Sequence, residues 1–494
     1  MAERVEPSLP DLARFAEEAR AGADRVVVLG MGGSSLAPLV FADSFGRRDG
    51  YPLLQVLDST EPSSVLAIEE QGSLERTLFV VSSKSGSTLE PNIFFDYFYG
   101  RMEAAVGPGA GERFVVVTDP GSPLEKLAAR RRVRRVFPGD PEIGGRYSAL
   151  SNFGLVPAAL AGVDVAQMLR RARGMMELCR KQGADNPGLE LGAAIGSAAT
   201  AGRDKLTFFV GPPVSRFGMW IEQLIAESTG KEGKGILPVE GEPPGPPADY
   251  GGDRFFAGIA RKGDRGIAGS LEPLTRAGHP ALHFEIEDAL DLGAEMFRWE
   301  FATAVAGRVL GINPFDQPNV QEAKDRTNEI LGGKPRVESR ESRVEEETLR
   351  GLLGSLKAGD YFAITAYLRD TEETERALTR IRLIVRDAAR VATTVGFGPR
   401  FLHSTGQLHK GGPDSGVFLQ LTSEPAASVP IPGRPYGFAE VVAAQAAGDL
   451  AALRSRGRRA MRVHLGKDVA AGLAELEANL SAILSGSRIR NLKS

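Results

Sequence analysis

Along the first third of the chain, short apolar runs alternate with longer amphipathic stretches. The runs at residues 25–30, 53–58, 77–83 and 113–119 are continuous in Val, Leu and Phe. Strands buried on both faces of a parallel sheet read this way, whereas half-exposed strands alternate. Each run is followed by a turn and a helical pattern, as at 89–105, which predicts an α/β unit with a mostly parallel sheet. A second unit begins near Val163, with a strand at 205–211, a helix at 214–227, strands at 235–239 and 281–286, and a helix at 291–310. It repeats the architecture of the first without a residue-level repeat. The expected fold is α/β: two doubly wound parallel-sheet domains, 1–162 and 163–336, and a smaller C-terminal α/β region, 351–494. Residues 332–350 turn charged and polar and read as an exposed connector. Beyond it the pattern predicts a strand at 361–368, a helix at 372–395, a glycine-rich segment at 396–416 and a helix at 438–455. The basic run 454–462 reads as an exposed helix end.

Composition narrows the function classes. The 494 residues suffice for two to four domains at about 100–200 residues each. Hydrophobic residues at 42% and charged residues at 25% are ordinary globular usage and exclude a disordered or fibrous chain. A net charge of −3 gives no electrostatic footprint for nucleic acid, so none is expected as a partner. The single cysteine, Cys179, has no intrachain disulfide partner and suits a reducing compartment. The acidic first twenty or so positions lack the basic start and apolar core of a secretory signal. The longest apolar runs have strand length, far below a membrane span. A cytoplasmic enzyme without membrane association is the expectation.

In a doubly wound sheet, ligands bind beyond the carboxyl ends of the strands, which directs attention to the loops after the first and third. The first is Gly30-Met31-Gly32-Gly33-Ser34-Ser35. Its backbone amides can converge on an anion at a helix N-terminus. It is neither the dinucleotide fingerprint, for want of a third glycine at the right spacing, nor a P-loop. A tight turn with a capping serine explains it equally well on its own. The second loop, Ser82-Ser83-Lys84-Ser85-Gly86-Ser87-Thr88, concentrates hydroxyls and a lysine in one turn. Capping by Ser87 or Thr88 accounts for one or two of these groups, and two such loops on neighbouring strands favour a phosphate site. Gly144-Gly145-Arg146-Tyr147-Ser148 holds an arginine on a turn. Glu227 lies in the last turn of a helix capped by Gly230. A carboxylate there opposes the helix dipole, which suggests a functional reason for it. In 313–324, Gln317 precedes a helix start at Pro318 and Lys324 follows about two turns on, so both can face one cleft.

Taken together, the Gly32–Ser34 loop, Ser83-Lys84-Ser85 with Thr88, Gly145-Arg146, the 227–231 run Glu-Ser-Thr-Gly-Lys, and Asp316-Gln317 through Lys324 resemble the phosphoglucose isomerase (glucose-6-phosphate isomerase) family, in the family's order. The stretch 398–412 resembles a bacterial subset related to the isomerase part of transaldolase–isomerase fusions. The resemblance implies two sugar-isomerase domains and an aldose–ketose isomerase acting on glucose 6-phosphate and fructose 6-phosphate through a cis-enediolate. It implies a sugar phosphate as the only small-molecule partner, no metal or other cofactor, and a homodimer. By the same resemblance, Gly33, Ser34, Ser83, Lys84, Ser85, Thr88 and Gly145 would surround the phosphate. Glu227 would shuttle the proton between C1 and C2, Arg146 would stabilise the enediolate, and Gln317 and Lys324 would contact the sugar, with Lys324 aiding ring opening.

The family commonly carries a ring-opening histidine shortly after the glutamate motif, often donated by the partner subunit. The corresponding stretch here, 249–256, has none. His403 or His409, both in the glycine-rich segment, is expected to replace it. Alternatives are a broader phosphoglucose/phosphomannose isomerase and a non-catalytic sugar-phosphate-binding regulator. The regulator predicts a missing base or missing cations, and Glu227, Arg146 and Lys324 are all present. A nucleotide-dependent oxidoreductase fails on the glycine pattern.

Overall fold

In the computed structural model, residues 2–333 and 346–486 are described. The middle of the expected connector, 337–343, lies outside them. The apolar runs of the first third become β1 Arg25–Leu29, β2 Leu53–Leu57, β3 Thr77–Ser82 and β4 Phe114–Thr118, joined by β5 Arg135–Pro138. They form one parallel sheet in the order β2-β1-β3-β4-β5. Pleating sends successive side chains to opposite faces, and the core divides accordingly. Val26, Val28, Val80, Val115 and Val117 belong to one buried cluster, whereas Val27, Leu29, Phe79, Val81 and Val116 belong to another.

The first cluster runs on through the helices Leu9–Arg20 and Leu36–Phe45 into the second unit, where it takes in Phe208, Trp220, Leu224 and Trp299. That unit holds β6 Lys205–Val210, β7 Leu237–Val239, β8 Arg254–Arg261 and β9 Ala281–Ile286, parallel in the order β7-β6-β8-β9. The first two sheets thus share one core.

The C-terminal region is more than a small appendage. It holds β10 Tyr361–Tyr367, β11 Ala392–Phe397, β12 Gly416–Thr422 and β13 Arg459–His464, parallel in the order β11-β10-β12-β13. It therefore winds as the second sheet does. The helix expected over 372–395 ends at Ala389, with Arg390 left-handed at φ 59, and the Thr- and Val-rich remainder is β11. Helical propensity in the preceding turns hid this β-branched run. The basic run 454–462 is corrected as well: the helix Phe438–Ser455 ends within it, and Arg459 opens β13, pairing with Asp360 at 2.6 Å.

This third unit is docked firmly on the first. Val429, Ile431, Phe438 and Val441 enter the core cluster of Val27 and Phe79. Phe438 stacks on Phe94 with ring centroids 5.8 Å apart. Arg400, just beyond β11, clamps Asp58 with two hydrogen bonds of 2.8 and 2.9 Å and reaches Asp370 at 2.9 Å. Among the described residues, no helix is long and apolar enough to cross a membrane.

Candidate active site

β1 and β3 are neighbours, and the strand order reverses between them. The two loops singled out in the sequence leave the carboxyl ends of these strands, where a doubly wound sheet opens a crevice. The first loop makes a tight turn, Gly32–Ser34, ahead of the helix Leu36–Phe45. A Cβ on Gly33 would stand 2.1 Å from the Gly145 carbonyl oxygen. Only glycine lets these two backbones touch, and through that contact the first loop abuts the turn that carries Arg146.

In the second loop, the Ser82 and Ser83 hydroxyls are buried without a hydrogen-bond partner among the described residues. Thr88 is the N-cap of the helix Leu89–Val106, yet its side chain makes no capping bond, so capping does not consume this hydroxyl. Ser85 is exposed and accepts from the Ser87 hydroxyl at 3.0 Å. The Lys84 ammonium turns away, to Asp119 at 2.5 Å and the Asp140 carbonyl at 2.9 Å. The backbone N–H groups of Lys84 and Ser85 donate to no backbone carbonyl among the described residues.

The turn Gly145–Tyr147 points Arg146 inward, where it is 2% exposed. Its guanidinium donates to Ser228 Oγ at 2.7 Å, Gln317 Oε1 at 2.8 Å, and the carbonyls of Pro314 at 2.6 Å and Asp316 at 3.0 Å. Nη1 also stands 3.4 Å from Glu227 Oε1. Glu227 lies in the last turn of the helix Phe217–Thr229, and its other oxygen accepts from Gln223 Nε2 at 3.1 Å. Gly230 closes this helix at φ −77 instead of the left-handed cap expected. Glycine is required there because a Cβ would lie 2.3 Å from Leu408 Cα.

The loop that receives Arg146 is pinned from below by Lys231, whose Nζ donates to Asn313 O at 2.8 Å and Asp316 Oδ1 at 2.6 Å. Burial pulls the Lys231 ammonium below its ordinary pKa, and the bond to Asp316 opposes that shift. Gln317 is brought to Arg146. Lys324 falls on the helix Val320–Leu331, and its side chain lies outside the described residues.

The third unit completes the crevice. His403 ends the short turn Arg400–His403 and packs on the first loop: a Cβ on Gly32 would stand 2.9 Å from His403 Cβ. Its carbonyl accepts from Gln223 Nε2 at 2.7 Å, and its Nε2 faces Glu90 Oε1 at 3.1 Å. His409, the other candidate, belongs to the core. Both its ring nitrogens are buried without a partner among the described residues, and it packs against the Tyr361, Phe401 and Phe418 rings. Burial holds its imidazole neutral, well below the usual histidine range. The stretch 249–256, where the family histidine was sought, runs into β8 inside the second sheet.

Gln223 and Glu90 were missed in the sequence. Gln223 precedes Glu227 by four, one helical turn, and spacing could have found it. Glu90 meets His403 across 313 positions, and no local pattern carries that pairing. Among the described residues, no group of three or more His, Cys, Asp or Glu side chains is placed to hold a metal ion.

Comparison with known proteins supports the family resemblance. The model of the family described as "Phosphoglucose isomerase" matches residues 13–234. A glucose-6-phosphate isomerase of Rubrobacter xylanophilus is 32% identical over 381 residues, which cover 67% of this chain and 87% of the relative. One from Heliobacterium modesticaldum is 29% identical over 400 residues, 69% of this chain and 88% of the relative. Among solved structures, a hypothetical protein of Thermus thermophilus superposes with a TM-score of 0.60 at 25% identity, covering 67% of this chain and 89% of its own. A glucose-6-phosphate isomerase of Chlamydia trachomatis shares the fold with a TM-score of 0.56 at 21% identity, over 66% of this chain and 73% of its own. Identity of this extent, spread over most of a relative's length, is the mark of common descent, and the chain belongs to the phosphoglucose isomerase family.

Proposed function

We propose that this chain interconverts glucose 6-phosphate and fructose 6-phosphate through a cis-enediolate, the aldose–ketose step of glycolysis and gluconeogenesis. One observation carries the proposal: the Glu227 carboxylate stands 3.4 Å from a buried guanidinium, Arg146, that four other hydrogen bonds already hold in place. Glu227 takes the proton from C2 of the open-chain aldose and returns it to C1. The negative charge that develops on the enediolate falls beside Arg146, which needs no reorganisation to meet it.

The phosphate sits in the crevice of the first sheet, among Gly33, Ser34, Ser83, Ser85, Thr88 and Gly145, with Lys84 contributing through its backbone. Binding energy spent on this remote group positions C1 and C2 at the base. Gln317 and Lys324 contact the sugar, and Lys324 aids ring opening. In ring opening the C1–O5 bond of the pyranose breaks as His403 Nδ1 takes the proton of the C1 hydroxyl and the Lys324 ammonium gives one to the ring oxygen. Glu90 supports this role, because a carboxylate only accepts and so orients the imidazole with its Nε2 proton toward Glu90, leaving Nδ1 for the sugar. A cytoplasmic homodimer accompanies the reading.

The test is a coupled assay starting from fructose 6-phosphate. Glu227→Gln is expected to lower kcat by about 10²–10⁴-fold, the usual worth of a general base. A variant as fast as the wild type overturns the mechanism.

A further inference from the structure

The Glu90 carboxylate has a second neighbour that proton transfer at C1 and C2 does not account for. Glu90 is 5% exposed, and the same Oε1 that faces His403 Nε2 accepts a hydrogen bond from Gln445 Nε2 at 2.7 Å. Gln445 lies on the helix Phe438–Ser455 and is 2% exposed. Its Oε1 accepts in turn from the Thr60 hydroxyl at 2.6 Å, and Thr60 is fully buried. Tyr367 donates its phenol proton to the Gln445 backbone carbonyl at 3.3 Å.

The directions along this line are forced. A carboxylate cannot donate, so the Gln445 amide must turn its NH₂ to Glu90. Its carbonyl oxygen then faces Thr60, whose O–H is the donor that meets it. The pairs are 355 and 385 positions apart in sequence, so the line exists only while the third unit is docked on the first. Docking is secured close by, where Phe438 stacks on Phe94 one helical turn along from Glu90.

We propose that Gln445, oriented by Thr60, is a positioning residue for ring opening: it fixes the Glu90 carboxylate and, through it, the imidazole of His403. Neither Gln445 nor Thr60 reaches the crevice, since Glu90 stands between them and His403. The proposal rests on the ring-opening role of His403 given above.

The variant Gln445→Met is close in shape and has no donor. Two readings are taken on the full-length enzyme: the coupled rate from cyclic glucose 6-phosphate, and the affinity for 5-phosphoarabinonate, an open-chain five-carbon mimic of the enediolate. The expected result is a fall in kcat of about 10–100-fold, the size of effect seen when the partners that orient metal-ligating histidines are removed. KM and mimic affinity stay within about twofold, because the phosphate crevice and Arg146 are untouched. Thr60→Val lowers kcat in the same way, and Thr60→Ser, which keeps the hydroxyl, restores it. A Gln445→Met enzyme with wild-type kcat overturns the proposal. So does a loss of mimic affinity in proportion to kcat, which marks collapse of the site. Should Gln445→Met fail to fold, equal rates in Thr60→Val and Thr60→Ser overturn it. His403→Ala separates the two readings: full activity there refutes ring opening by His403. Loss there with an unimpaired Gln445→Met refutes the positioning role alone.

Discussion

Replacing Arg146 by lysine keeps the positive charge and discards the fork that places it. The guanidinium serves Ser228, Gln317, Pro314 and Asp316 with four hydrogen bonds while Nη1 stands 3.4 Å from Glu227. An ammonium has three donors around a single point. If it stays with Glu227 and Gln317, the Pro314 and Asp316 carbonyls each lose one of two donors, since Tyr147 still donates to Pro314 at 3.2 Å and Lys231 to Asp316, at about 1–1.5 kcal/mol each. Lys231 still holds this loop through Asn313 and Asp316, so the loss stays at about 2–3 kcal/mol. The fold survives this, against a typical total of about 5–15 kcal/mol. The transition state loses more selectively. Removing one preorganised donor to a developing oxyanion costs about 2.7–4 kcal/mol, or 10²–10³ in kcat. Arg146→Lys is therefore expected to lower kcat by about 10²–10³-fold, with KM for fructose 6-phosphate changed less than about threefold, since the phosphate is held by other loops. The coupled assay reads both constants, and thermal unfolding reads the stability. A kcat within about tenfold of wild type, together with a lowered melting temperature, would reduce Arg146 to a structural clamp and refute the reasoning.

Two further perturbations follow from contacts on either side of the site. Gly33→Ala places a Cβ 2.1 Å from the Gly145 carbonyl, so the phosphate loop and the Arg146 turn must part. A misplacement of about 1 Å costs on the order of 10²-fold, and kcat/KM is expected to fall by that much with the circular dichroism unchanged; a wild-type rate refutes the contact. Glu222, on the helix that carries Glu227, has its carboxyl pushed up to about 8, first by burial and then by the like charge of Glu240. The folded state keeps a proton that the unfolded chain releases near its ordinary value of about 4.3, so the contribution to stability is complete below that pH and is lost as pH rises through about 8. Denaturation midpoints from pH 5 to 8.5 are expected to fall less steeply in Glu222→Gln than in wild type, and parallel curves refute the assignment.

In the first sheet β1, β3 and β4 were legible because they are buried on both faces and declare themselves as apolar runs, β2 was read although half-exposed, and the short edge strand β5 was not read. The second sheet was half legible. β8, Arg254–Arg261, was not read as a strand, because Arg254 interrupts the apolar signal, and that arginine is fully buried against Glu242 at 3.1 Å. In the third unit β11 was lost between a helical extension and a glycine-rich segment and β12, just beyond that segment, was not read, since six or seven residues between strong neighbours give periodicity little to work on. Of the site, what lies within one turn was readable: the serine loop, the Gly-Gly turns, the glutamate closing its helix. The pairing of the Lys84 ammonium was not readable, because its partner Asp119 arrives from the next strand's loop. Glu90, Gln445 and Thr60 were out of reach for the same reason, their bonds being made between units.

The position of Glu227 first drew notice as locally unfavourable, a carboxylate in the last turn of a helix whose dipole repels it. Arg146 answers that cost, and its surroundings explain how it also serves the reaction. Apart from Glu227, its hydrogen-bond partners are a hydroxyl, an amide oxygen and two carbonyls, all uncharged. The guanidinium is therefore oriented by four groups and neutralised by one. In the proposed mechanism Glu227 becomes neutral on taking the proton from C2, and its claim on Arg146 lapses at the moment the enediolate acquires the same charge. Arg146 faces one anion before and after the step, so the charge moves from carboxylate to enediolate over a short distance beside a fixed cation. Had Arg146 been pinned by a second carboxylate instead of carbonyls, that ion would have remained through the reaction and the guanidinium would have had less to offer the intermediate. The neutral clamp is what lets one arginine stabilise the resting base and the product of its action in turn.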